Sequence, residues 1–136
     1  MLTTTWRTAN EAVRQVLHRL VVTERVPREQ IVVLTGHSLA RSGVWQQRRF
    51  GDQQLWNGSY DDAGHHLGFS ADAAPEQPRD TVLCDSIRRF KGLEREVVIL
   101  VEVEPDDPRL EQLLYVGATR AREHLVVIGP EKVIAH

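Results

Sequence analysis

The 136 residues carry 17 Lys and Arg against 19 Asp and Glu, a net charge of −2, with 41% hydrophobic and 26% charged residues. That is one domain's worth of chain, enough to bury a single core and too short for two motor-sized domains. The balance excludes a globally basic nucleic-acid binder, and the lone cysteine, Cys84, excludes an internal disulfide and a thiolate-rich zinc site. No apolar run approaches the ~20 residues of a membrane span, and the start lacks the apolar core of a signal peptide, so a cytoplasmic protein with no membrane partner is expected.

Thr8-Ala9-Asn10-Glu11 has capping-box spacing, and Val13, Val16, Leu17, Leu20 and Val21 follow at helical spacing, which predicts an amphipathic helix. Pro27 breaks it, and the short apolar run Ile31-Val32-Val33-Leu34 reads as a strand covered on both faces. A second helix is expected from Ser38 to Phe50, although its apolar stripe is ragged. Residues 51–80, rich in Gly, Asp, His, Gln and Pro, read as an irregular, mobile connection with a short strand at Gln54 to Trp56 or His66 to Phe69. Thr81 to Cys84 and Val97 to Val101 are strand-like, and the residues between them suit a short helical crossover. Asp107-Pro108 looks like a cap and first-turn proline. It would open a helix with Leu110, Leu113, Leu114, Gly117, Ala118 and Ala121 on one face, before a last strand at Leu125 to Ile128. Alternating helices and buried strands predict an α/β domain over residues 1–136, a mostly parallel sheet with helices on both faces.

Two segments carry the chemistry. Ser86-Ile87-Arg88-Arg89-Phe90-Lys91-Gly92-Leu93-Glu94, followed by a strand, resembles motif V of UvrD/Rep-type superfamily 1 DNA helicases, commonly written T-x-H-x-x-K-G-L-E. Tyr115-Val116-Gly117-Ala118-Thr119-Arg120-Ala121-Arg122, with its flanking leucines, resembles motif VI of the same family. The resemblance implies the second RecA-like motor domain of such an enzyme, a fold of the phosphate-loop NTPase type. It also implies roles for single residues: Gly92 lets backbone approach the nucleotide, Glu94 bonds its ribose, and Arg120 reaches the γ-phosphate as a catalytic arginine finger. By the same resemblance Ser86 and Arg88 contact the backbone of single-stranded DNA. Both depart from the family pattern, which has Thr and His there; serine keeps the hydroxyl, and arginine keeps a phosphate-seeking donor. Lys91 is open between nucleotide, DNA and solvent.

Arginine suits the finger role because its fork stays charged, and one supplied across a domain interface accelerates phosphoryl transfer by roughly 10³ to 10⁵. Arg122, two residues on, would lie on the other side of a helix and is left to solvent or structure. The cluster Arg88, Arg89, Lys91 and Arg95 is either the local basic stripe that DNA binding requires or a solvated charge run neutralised by Asp85, Glu94 and Glu96. His65-His66 beside Asp61-Asp62 lacks metal-ligand spacing, so no metal site is expected there. Tyr115 and Phe90 are read as packing residues.

Because Ser86 follows a strand whereas Glu94 and Arg120 precede strands, DNA and nucleotide are expected on opposite rims of the sheet. No G-x-x-x-x-G-K-[ST] phosphate loop occurs in the 136 residues, nor an acidic DExx motif. The chain is therefore expected to start downstream of those motifs and to be inactive alone. ATP and Mg²⁺ would be bound by an N-terminal RecA-like partner domain, and none is expected on this chain by itself. The rivals are a non-enzymatic helicase-like module that lost its motor partner, and a nuclease or nucleotide-binding domain of another lineage, for which only Asp85 stands at a strand end.

Overall fold

The structure, a computed structural model, describes residues 2–4, 9–68, 75–90, 94–104 and 106–129. Its first helix, α1 (Ala9–His18), continues into a π-helical turn at Arg19–Thr23. Ala12, Val13, Val16, Leu17 and Leu20 are buried along one face, as the spacing predicts, and Val21 is half-buried. Burying each large aliphatic chain is worth roughly 1.5–3 kcal/mol, more than the ~1 kcal/mol of a cap. The helix is therefore held chiefly by its packing; the Thr8 cap lies outside the described residues.

Among the described residues, seven strands form one sheet: β1 (Leu2–Thr4), β2 (Ile31–Thr35), β3 (Arg49–Phe50), β4 (Gln53–Trp56), β5 (Thr81–Ser86), β6 (Arg95–Val101) and β7 (Ala121–Ile128), in the order β1-β7-β6-β2-β5-β4-β3. Every pairing is parallel except β3 with β4. The central strand β2 is buried along its whole length, and alternation sends its side chains to two cores. Ile31 and Val33 pack with α1 and Trp45, whereas Val32 and Leu34 pack with Leu110 and Leu113 of α3 (Leu110–Arg120). Helices thus cover both faces, as expected of a doubly wound α/β sheet. No helix among the described residues is long and apolar enough to cross a membrane.

Two expectations need correction, and a third is met in part. The helix foreseen from Ser38 to Phe50 is a 3₁₀ turn (Leu39–Arg41) and a short α2 (Gly43–Gln47), followed by β3. Ser42 caps α2 by accepting from Trp45 N at 3.0 Å, and Arg48, at φ +61°, turns the chain into the β3–β4 hairpin. Of the two short strands offered in residues 51–80, the first forms: Gln53–Trp56 pairs in the sheet, and beyond it Trp45 Nε1 donates to the Asp61 carbonyl at 3.3 Å. His66 makes only an isolated bridge to Tyr60, and Phe69 lies outside the described residues. The link from β5 to β6 is not helical where described: Ile87 to Phe90 form a turn, fastened by the Arg89 and Phe90 amides donating to the Ser86 carbonyl at 3.2 Å.

α3 begins at Leu110, because Asp107 caps the turn before it, accepting at 2.8 Å from the Arg109 amide. Leu110, Leu113 and Gly117 are buried and Leu114 is half-buried, but Ala118 is exposed. Ala121 already belongs to β7.

Candidate functional site

At the carboxyl edge, β2 and β5 end in register, Thr35 beside Ser86, and the Ile87 amide extends the ladder by donating to the Thr35 carbonyl at 3.0 Å. A cleft of about 230 Å³ opens there, lined by Gly36, His37, Ser38, Arg41, Ser86 and Arg88 among others. Arg109 also lines it but is engaged, its Nε 3.3 Å from Asp107 Oδ1. Arg88 and Arg41 are exposed, and the Ser86 hydroxyl accepts weakly from the Arg89 amide at 3.4 Å. Crevices beyond the carboxyl ends of parallel strands are where open α/β sheets hold ligands.

Beneath this cleft lies a network that the sequence reading missed. Glu102, just past β6, takes a left-handed φ of +56°. Its Oε1 accepts from Thr35 Oγ1 at 3.0 Å and from Ser42 Oγ, and its Oε2 accepts from Gly43 N at 2.9 Å. Thr35 and Ser42 are fully buried. Positions 42 and 102 are 60 residues apart, and nothing in either segment's pattern signals the pairing.

At the amino edge, Glu94 immediately precedes β6 and Arg120 immediately precedes β7, and the first residues of those strands, Arg95 and Ala121, pair in register. Both chain positions thus stand on one rim. Arg120 is half-buried, and its Nε is shielded, with no hydrogen-bond partner among the described residues. Arg122 does not share a helix with it. It stands on β7, where the pairing advances two residues on β6 and three on β7, a bulge that re-aims side chains. Its guanidinium lies 3.5 Å from Glu94 and 3.3 Å from Glu96. The expected ribose-binding carboxylate therefore already has a cationic neighbour, both groups being more than half exposed. Lys91 and Gly92 lie outside the described residues.

The two rims communicate. Since α3 runs from the carboxyl edge back to the amino edge, Arg88, Arg109, Gln112, Val116 and Arg120 border one cleft of about 580 Å³ along its flank. Tyr115 stands on the same cleft and is 71% exposed, so it is no packing residue; Phe90 is fully buried. A family model described as UvrD-like helicase C-terminal domain matches residues 81–128, from the first residue of β5 to the last of β7. Over that stretch the chain is similar to the UvrD-like helicase C-terminal domain family. No curated protein matches the chain. The match points to a helicase-related role. The matched segment holds Ser86, Arg88, Glu94, Arg120 and Arg122, while the network partners Thr35 and Ser42 precede it.

The His and Asp pairs of residues 61–66 are occupied by turn chemistry. Asp61 Oδ1 accepts from the His65 amide at 2.9 Å, and His66 Nδ1 accepts from the Gly68 amide at 3.0 Å.

Proposed function

We propose that the chain is the second motor domain of an ATP-dependent DNA helicase or translocase. It supplies Arg120 to a nucleotide held by a partner RecA-like domain, and backbone contacts from Ser86 and Arg88 to single-stranded DNA. The observation that carries this reading is the segment similar to the helicase family laid on a parallel sheet, with Arg120 at the amino rim next to the Glu94 position and its Nε without a partner among the described residues. A guanidinium with an unpaired, shielded donor fits an anionic partner such as a γ-phosphate. Phosphoryl transfer is accelerated by charge placed against the transferring oxygens. ATP and Mg²⁺ belong on the partner domain in this reading, because the chain's own sequence has no phosphate loop. Glu94 would hold the ribose after exchanging its contact with Arg122. Closure and opening of the two domains would move the Ser86 and Arg88 rim along the strand, and the cleft flanking α3 joins the two events.

The test is Arg120→Ala in the complete enzyme. DNA-stimulated ATP hydrolysis is expected to fall by roughly 10³-fold or more, with single-stranded DNA affinity changed by less than about threefold, a sub-kcal/mol effect. Unchanged turnover would end the finger assignment.

A further inference from the structure

Arg89 and Arg95 form a second basic feature that the helicase reading leaves unused. Both line a cleft of about 200 Å³ whose walls include Trp56, Gln77, Asp85 and Phe90. Arg88, their neighbour in the cluster, borders the two clefts already described instead.

The two guanidiniums are held by their faces. Arg89 lies over the Tyr60 ring at 5.0 Å, and Arg95 lies over the Phe90 ring at 5.6 Å. Stacking of this kind leaves the N–H edges available. Nε and Nη2 of Arg89 and Nε of Arg95 are shielded from solvent, with no hydrogen-bond partner among the described residues. Asp85 Oδ2 stands 3.7 Å from Arg89 Nε, beyond hydrogen-bond length. Arg95 spends Nη1 on the Glu94 carbonyl at 2.9 Å.

Shielded donors are rarely left unpaired, since each costs about as much as a lost hydrogen bond. Three on the two arginines of one cleft call for an occupant rich in acceptors. Guanidinium has five donors and no acceptor, so a ligand must bring oxygens, and two cations against one carboxylate favour a negative charge on it. The volume is below the ~300 Å³ at which drug-sized pockets begin, which suits a single oxyanion group rather than a whole nucleotide. We infer that Arg89 and Arg95 form a binding site for a phosphate-type oxyanion, free or as a phosphodiester of a nucleic acid. The site stands independently of the Arg120 reading.

The experiment is an NMR titration of the chain, observing the arginine Nε–Hε signals, with inorganic phosphate and separately with a short oligothymidylate, at ionic strength held constant with sodium chloride. Saturable shifts of the Arg89 and Arg95 signals are expected, and Arg89→Gln and Arg95→Gln should each weaken binding by roughly tenfold or more. Arg14→Gln, which lies outside this cleft, should change it by less than about twofold. Saturation by phosphate assigns a free oxyanion, and saturation by the oligonucleotide alone assigns a phosphodiester. Should either glutamine variant lose its dispersed spectrum, the lysine variant at that position replaces it, keeping charge but not the fork, and must also bind more weakly. Signals that move with neither titrant, shifts that match the chloride control, or unchanged affinity in the variants would overturn the site.

Discussion

Glu102 holds a backbone conformation that a non-glycine residue adopts at a cost on the order of 1 kcal/mol, and the bonds of its carboxylate offset it. Thr35 Oγ1 also accepts from the His37 amide at 3.1 Å, and Ser42 Oγ from Trp45 N, so one carboxylate fixes both the loop after β2 and the start of α2. Glu102→Ala strands two buried hydroxyls, and a loss of about 2–4 kcal/mol is expected, read as a lower urea midpoint; a shift worth less than about 0.5 kcal/mol would show that the network does not hold this edge. Asp85 behaves differently. It is 6% exposed, and burial raises its pKa to about 6, against lowering by the Ser86 amide and Arg89. Because the folded pKa lies above the unfolded one, the native state binds the extra proton between about pH 4 and pH 6. Stability from this group is present below that window and is lost as pH rises through it, by at most about 3 kcal/mol. Asp85→Asn should remove that slope from urea unfolding compared at about pH 4.5 and about pH 7.5. A variant that keeps the wild-type slope would assign it to another group.

At the scale of elements, strands were legible wherever a continuous apolar run met a sheet covered on both faces, as in Ile31 to Leu34 and Val97 to Val101. The stretch from Ser38 to Phe50 misled because its few apolar residues are shared between a five-residue helix and a hairpin, each too short to show a period. The placement of the candidate residues was legible where motifs name them, Ser86 and Arg88 at or just past the end of β5 and Glu94 and Arg120 just before β6 and β7. It was hidden where contacts join distant segments, as with Glu102 and with Arg122, whose contact with Glu94 depends on a strand beginning at Ala121 where the helical period of the sequence runs on. Gly36 is another such case. A Cβ there would stand 2.8 Å from the Glu102 carbonyl oxygen, which is backbone and cannot swing away, whereas a Cβ on Gly43 would sit at 3.9 Å from the Glu102 carboxylate. Gly36→Ala should therefore cost about 1–3 kcal/mol, while Gly43→Ala, in the first turn of α2, should be neutral or stabilising by up to about 1 kcal/mol. Thermal unfolding of the two variants checks the contrast, and equal melting temperatures would refute the packing argument.

Across the whole molecule, the sequence carries arginines but no phosphate-loop motif, so the proposed two-domain motor makes any response to nucleotide depend on the partner domain. A ligand that binds only the folded state stabilises it by RT ln(1 + [L]/Kd), about 2.7 kcal/mol at a hundredfold excess over Kd. For a domain of this size that corresponds to a melting shift of roughly 3–6 °C. The chain alone is expected to show no saturable shift in millimolar Mg-ATP. Joined to an N-terminal RecA-like domain that carries a phosphate loop, the same residues should report a saturable shift, and Arg120→Ala should reduce it while leaving the nucleotide-free melting temperature within about 1 °C of its starting value. The two halves of the experiment separate the possibilities. A saturable shift in the chain alone would mean that the amino rim binds nucleotide without help, and the two-domain reading would fall. Absence of any shift in the joined protein would leave Arg120 without a phosphate to meet, and would favour a helicase-like fold used for interaction rather than as a motor.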